Sequence, residues 1–179
     1  MTGNYPTRER FERVFLENYT RVVSVLRRIV GDHARAEDLA NEVFLKLYRQ
    51  PMPTNTLDNV PGWLYRTAIN LGIDALRSAA RRIRYESEAA AEAGARDACV
   101  ENGFEQILRT ERQQRVRTVL AELKPAQAQL LLLRASGHSY KELASYLGVE
   151  PGSVGTRLIR AEAAFEQRYL ELYGREEGL

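Results

Sequence analysis

The stretch SYKELASYLGVEPGSVGTRLIRAE, residues 139–162, decides how this chain is read. Ser139 and Glu142 form an S-x-x-E capping box, in which each residue satisfies a free backbone N–H at a helix start. Tyr140, Leu143, Ala144 and Leu147 follow as a core stripe, Gly148 makes a turn, and Pro151 is placed to begin a second helix. Val149, Val154, Leu158, Ala161 and Phe165 return to the core with helical spacing. Two short helices meeting at a glycine make a helix-turn-helix, whose second helix suits a DNA major groove. Ser153, Gly155, Thr156, Ile159 and Arg160 point outward from that helix, with Arg157 on its flank. The pair alone fits a DNA reader and equally a helical bundle that never meets DNA.

Upstream, every long stretch has helical periodicity and none alternates as a strand does. Helices are expected over 7–30, 34–50, 61–85, 104–123 and 126–135. In the first, Phe11, Val14, Phe15, Val22, Val25, Leu26 and Ile29 face inward. In the second the inward set is Ala36, Leu39, Ala40, Val43, Phe44 and Leu47, and in the third Leu64, Ala68, Leu71, Ala75 and Leu76. The segment PMPTNTLDNVPG (51–62) is a loop by composition. ESEAAAEAGARDACVENG (86–103) has almost no large apolar residue, so it reads as a linker, partly helical through its alanines. The fold class is all-α: two small helical domains joined by a flexible linker, the C-terminal one a helix-turn-helix. The domains span 1–85 and 104–179, with the acidic linker at 86–103.

Composition narrows the function. The 179 residues are 44% hydrophobic and 28% charged, as in globular domains. The N-terminal charges do not suit a signal peptide, and LLLL (130–133), the longest aliphatic run, is far too short for membrane insertion. A cytoplasmic location is expected. Cys99 has no second cysteine to pair with, and two histidines cannot build a histidine-rich metal cluster. No nucleophile–histidine pair, phosphate loop or metal-ligand spacing points to an enzyme, so no catalytic residue, cofactor or metal is expected. Net charge is only +2, but it is unevenly spread. Between Val60 and Arg84 five arginines stand against Asp74, and six acids relieved only by Arg96 follow by residue 105. A basic helix followed by an acidic spacer is suited to a polyanion.

Three blocks, AEDLANEVFLKLYR (36–49), VPGWLYRTAINLGIDALRSAARR (60–82) and LKPAQAQLLLLRASGHSYKELASYLGVEPGSVGTRLIRA (123–161), resemble in order the regions of a bacterial sigma factor of the compact extracytoplasmic-function (ECF) group. The resemblance implies a non-enzymatic protein that binds core RNA polymerase, directs it to promoters and helps melt the −10 element. Asp38, Asn41, Glu42 and Leu45, otherwise an ordinary solvated face, would dock on the coiled coil of the polymerase's largest subunit; the flap region is a further expected contact. Arg66, Asn70, Arg77 and Arg81 would meet −10 DNA, since a melted strand must be held by cations and flat side chains. Asn55 and Asn59 lie in the loop where the family captures a flipped base. Trp63 serves either as a core anchor or as a stacking surface. On the second domain, Ser153, Thr156, Ile159 and Arg160 would face −35 DNA. Arg157 would bind phosphate or brace the helix, and Tyr140 and Lys141 would touch the DNA backbone. The family usually has basic residues where this chain has Gly155 and Glu162, which implies a weaker or altered −35 preference. An anti-sigma factor is the implied inhibitory partner. The rival is a stand-alone helix-turn-helix regulator acting without polymerase.

Overall fold

The computed structural model describes residues 8–49, 59–93 and 104–174; at 83–84, 86–93 and 104–109 only helical backbone is described. Seven α-helices and one 3-10 turn make up these residues, with no strand among them. They are α1 (Arg8–Val30), α2 (His33–Arg49), α3 (Val60–Ala93), α4 (Phe104–Glu122), α5 (Pro125–Ala135), α6 (Tyr140–Leu147) and α7 (Val154–Tyr173). The turn, Pro151–Ser153, leads into α7, so the last helix proper begins three residues after its proline.

Local chemistry sets the helix ends. Gly31 takes φ +81° and donates its N–H to the Arg27 carbonyl at 2.8 Å, closing α1 in a left-handed conformation that favours glycine. Asp32 then caps α2, its Oδ1 accepting from the Arg35 N–H at 2.7 Å. The third helix outruns its expected end at residue 85 by eight residues, through a stretch of Ala and Glu, both strong helix formers. Cys99 lies outside the described residues.

Helices α1, α2 and α3 enclose a core around Val22, Leu26, Ala40, Val43, Phe44, Leu47, Leu64 and Ala68. Phe15 stacks on Tyr19 (ring centroids 4.7 Å apart) and meets Phe44 edge-on (4.8 Å) at one end of it. The second core is continuous across the two halves of the chain. Val25 and Ile29 of α1 and Tyr65, Ile69 and Ile73 of α3 are buried together with Leu123, Leu133, Leu143, Val154 and Leu158. Helix α3 therefore has two apolar sides, as a helix sandwiched between layers must. Of the expected inward set of α3, Leu64, Ala68, Leu71 and Ala75 line the first core, while Leu76 packs on the second beside Tyr65, Ile69 and Ile73, the side that seats the C-terminal half.

Candidate nucleic-acid interface

The helix-turn-helix forms as its capping residues dictate. Ser139 Oγ accepts from the Glu142 N–H (3.3 Å), and the Glu142 carboxylate accepts from the Ser139 N–H (2.8 Å). The Ser139 hydroxyl also donates to this carboxylate at 2.7 Å, and that bond, followed by the one from the Ser139 N–H, holds the Glu142 carboxyl below the usual range. Gly148 turns the chain with φ +65°. On α7, Val154, Leu158 and Ala161 are buried, while Thr156, Arg157, Ile159 and Arg160 are exposed. Ile159 is 67% exposed, an apolar side chain presented between Thr156 and Arg160. Arg157 Nε donates to Ser153 Oγ at 3.2 Å, and Ser153 Oγ donates to the Glu150 carbonyl at 2.8 Å. Tyr140 and Lys141 are exposed beside this face, with the Arg134 guanidinium 5.5 Å from the Tyr140 ring centre. At Gly155 an added Cβ would lie 3.7 Å from the Tyr140 ring, an ordinary contact, so the position has room for a side chain.

On α2, Asp38, Asn41, Glu42 and Leu45 are all exposed and share the side away from the core. Lys46 ion-pairs with Glu42 at 3.2 Å, an exposed bridge worth little on its own. Tyr48, three residues beyond Leu45, is also exposed and was not part of the expected set; the i, i+3 spacing from Leu45 was its signal.

The α3 residues are distributed differently. Asn55 lies outside the described residues. Asn59 caps α3 through Oδ1, which accepts from the Gly62 N–H at 3.0 Å. Its Nδ2 reaches Ser145 on α6, donating to the backbone carbonyl and lying 3.3 Å from Oγ. Asn70 Oδ1 accepts from Gln129 Nε2 at 2.6 Å. Arg77 donates to the carbonyls of Ala121 (2.8 Å) and Leu123 (3.3 Å) and lies 3.6 Å from Asp74. Three of the expected −10 residues are thus bonded to the C-terminal half. Arg81 is exposed and bonds within its own helix, donating to Ser78 Oγ at 3.2 Å. Arg66 is half-exposed, and Trp63 packs half-buried on the first core.

Beside these contacts Tyr65, His138 and Tyr146 form a ring cluster with centroids 4.8, 5.2 and 5.1 Å apart. Burial pushes the Tyr65 and Tyr146 hydroxyls up and the His138 imidazole down from their ordinary values. Neither this cluster nor Gln129 and Ser145 figured in the expected site. The four-residue spacing of Tyr65, Ile69 and Ile73 was the available sign of a second buried side. No cluster of metal-ligating side chains occurs among the described residues. No helix among them is long and apolar enough to cross a membrane.

An all-helical chain with an exposed helix-turn-helix and a basic helix upstream has the build of a DNA-binding transcription protein. Residues 14–82 match Sigma-70 region 2, and residues 113–165 match Sigma-70 region 4. The chain is 31% identical over 163 residues to the ECF RNA polymerase sigma factor SigE of Mycolicibacterium smegmatis, spanning 89% of this chain and 61% of SigE. With the RNA polymerase sigma-H factor of Pseudomonas aeruginosa it shares 28% identity over 171 residues, 88% of this chain and 84% of that one. Among solved structures, CnrH in complex with the cytosolic domain of CnrY has a similar fold, with a TM-score of 0.51 at 19% identity. That alignment covers 93% of this chain and 91% of CnrH. The chain belongs to the bacterial RNA polymerase sigma factors, in their extracytoplasmic-function group.

Proposed function

We propose that this chain binds core RNA polymerase, carries it to specific promoters and helps open the −10 region. The observation that carries this reading is the presence of both units, region 2 and then region 4, in one chain. A stand-alone helix-turn-helix regulator has no use for the first. Residues 1–85 hold the polymerase and the melted strand, 86–103 form the spacer, and 104–179 read the −35 element. The α2 face of Asp38, Asn41, Glu42 and Leu45 docks on the coiled coil of the largest subunit, where its carboxylates suit a basic partner. The polymerase flap meets the C-terminal unit.

Thr156, Ile159 and Arg160 face the major groove, with Ile159 suited to a thymine methyl and Arg160 to a guanine edge or a phosphate. Arg66, Asn70, Arg77 and Arg81 hold the opened strand. Nucleotidyl transfer belongs to the polymerase, so the chain needs no catalytic group. An anti-sigma factor covers these faces until a signal arrives, and the place of action is the cytoplasm, where polymerase and chromosome are.

Run-off transcription on a fragmented genome, with core polymerase in the presence and absence of the chain, tests the reading. New start sites sharing −35 and −10 motifs are the expected result. No new starts and no binding to core would overturn it.

A further inference from the structure

We propose that the cleft between the end of α1 and α4 is a binding site for a small anion carrying two or three linked phosphates, held by Arg27, Arg28, His33 and Arg117. None of these residues belongs to the polymerase or DNA faces proposed above.

The cleft has a volume of about 550 Å³ and is lined by Arg27, Arg28, Gly31, His33, Gln113 and Arg117. Three guanidiniums and an imidazole thus converge on one space, and no carboxylate lines it. The carboxylates nearest in sequence are engaged elsewhere. Asp32 Oδ1 caps α2 by accepting from the Arg35 N–H, and Glu37 meets His33 at 3.6 Å along that helix. Glu111 accepts from Arg115 at 2.8 Å.

The arginines are not neutralised from within the fold. Arg28 donates to the Ala135 carbonyl at the end of α5. Neither Arg27 nor Arg117 has an ion pair among the described residues, and the buried Arg117 Nε has no hydrogen-bond partner among them. Burial lowers the Arg117 guanidinium from its ordinary value, and no acid offsets the effect. Gathered like charges repel, and a half-buried guanidinium loses water without gaining a partner. The cleft therefore carries a cost that an anion would remove. Gly31 fixes the place of Arg117: an added Cβ there would run into the guanidinium, so the bare turn leaves the space in which it lies.

The side chains select phosphate. A guanidinium's planar fork matches two oxygens of one phosphate at a time, where an ammonium is only a point charge. Three such forks exceed what one carboxylate or one phosphate can engage, whereas two or three linked phosphates supply the matching oxygens and charge. Gln113 adds a neutral amide that can donate to a further oxygen. Small-ligand sites enclose about 300–1,000 Å³, so there is room for a nucleoside beside the phosphates. No Phe, Tyr or Trp lines the cleft to stack on a base, so the phosphates carry the recognition.

The test is titration calorimetry of the full chain at about 0.15 M salt, where exposed charges are screened beyond about 8 Å. Neither polymerase nor promoter enters the measurement, so its outcome is independent of the transcription reading. Inorganic triphosphate is expected to bind one to one with a micromolar Kd, without competition from sulfate at equal ionic strength. ATP and GTP identify the source. Affinity equal to that of inorganic triphosphate assigns the site to the phosphate chain alone, and tighter binding of one nucleotide assigns it to that nucleoside triphosphate. Arg117→Gln and, separately, Arg27→Gln should each weaken binding about tenfold. Arg112→Gln, an exposed arginine of α4 outside the cleft, should leave it unchanged. Arg27 is exposed, so its variant serves if Arg117→Gln does not fold.

No binding of triphosphate overturns the proposal, as does equal competition by sulfate or equal affinity in all three variants. Cleft variants that lose affinity for a random duplex of about 20 base pairs but not for triphosphate also overturn it, making the cleft a contact for the DNA backbone.

Discussion

Arg77 of α3 and Ala121 near the end of α4 are joined by a 2.8 Å hydrogen bond, side-chain Nε to backbone carbonyl, across the boundary between the two halves of the chain. The Leu123 carbonyl takes a second bond from the same guanidinium, so one arginine satisfies two acceptors left free where a helix ends. Charged donors make the stronger hydrogen bonds, and the side chain is only about one-third exposed (34%).

Replacing Arg77 by Met should therefore lower the stability of the whole chain by about 1–3 kcal/mol. Lys in its place should recover only part of this, because an ammonium cannot reach both carbonyls with one planar fork. At about 2–4 °C per kcal/mol for a chain this size, a calorimetric melt resolves the difference. An unchanged melting temperature for Arg77→Met would show that the contact does not form in solution.

The ring cluster at His138 should make the contact between the halves sensitive to acid. Burial holds the imidazole below its ordinary value of 6.5, against the pull of the Glu142 carboxylate and with some help from the Arg21 guanidinium. A depressed base favours its neutral form in the packed state. The contact is therefore at full strength above about pH 6.5 and weakens as pH falls through that value, where the parted state takes up the proton first. The His138 ring resonances followed by NMR should titrate below 6.5, and Tyr146→Ala should bring the midpoint back up. A midpoint at or above 6.5 in the parent would overturn the prediction.

Gly31→Ala should be costly mainly through the backbone, with a smaller cost for moving a flexible arginine end aside. The position has φ +81°, where a side chain is strained by about 1–2 kcal/mol, and the new Cβ would run into the Arg117 guanidinium. Arg117 is half-buried, with a buried Nε that has no hydrogen-bond partner among the described residues. Adding Arg117→Ala to Gly31→Ala should relieve the clash but not the backbone strain. Denaturant melts of both single variants and the double variant should thus be non-additive, and simple additivity would count against the close approach.

Gly155→Arg puts a cation on the exposed face of α7, where an added Cβ would lie 3.7 Å from the Tyr140 ring, an ordinary contact. Binding to a −35 duplex mapped by run-off transcription should tighten, with the salt dependence steepening by about 0.9 in log–log slope for one added phosphate contact. Equal affinity and slope would mean that the face does not lie against DNA.

Ser139→Ala should remove about 1 kcal/mol by opening the capping box that starts α6. The Glu142 carboxyl, held low by its bonds to Ser139, contributes above its unfolded value, and that contribution fades as pH falls through the folded one. The penalty of Ser139→Ala in chemical melts should accordingly shrink in acid. A penalty independent of pH would separate the two residues.

The C-terminal unit was largely legible in the sequence because local chemistry decides it: Ser139, Glu142 and Gly148 fix the turn, and Val154, Leu158 and Ala161 fix which side of α7 is inward. The α2 face was legible for the same reason, one apolar stripe leaving one polar side. Helix α3 was not. Four residues of its single expected stripe share the first core, but Leu76 packs with Tyr65, Ile69 and Ile73 on a second side, and periodicity in one helix does not say what packs there. Partners more than forty residues away, such as Ala121 for Arg77 and Gln129 for Asn70, depend on how two units dock and leave no local mark.

The doubly apolar α3 bears on how the protein behaves in a tube or a cell. Parting the halves uncovers Tyr65, Ile69 and Ile73 together with the aliphatic side chains that cover them, a continuous greasy surface on each piece. Truncations that delete either half should be harder to keep in solution than the intact chain. Keeping the halves together thus keeps that surface away from water.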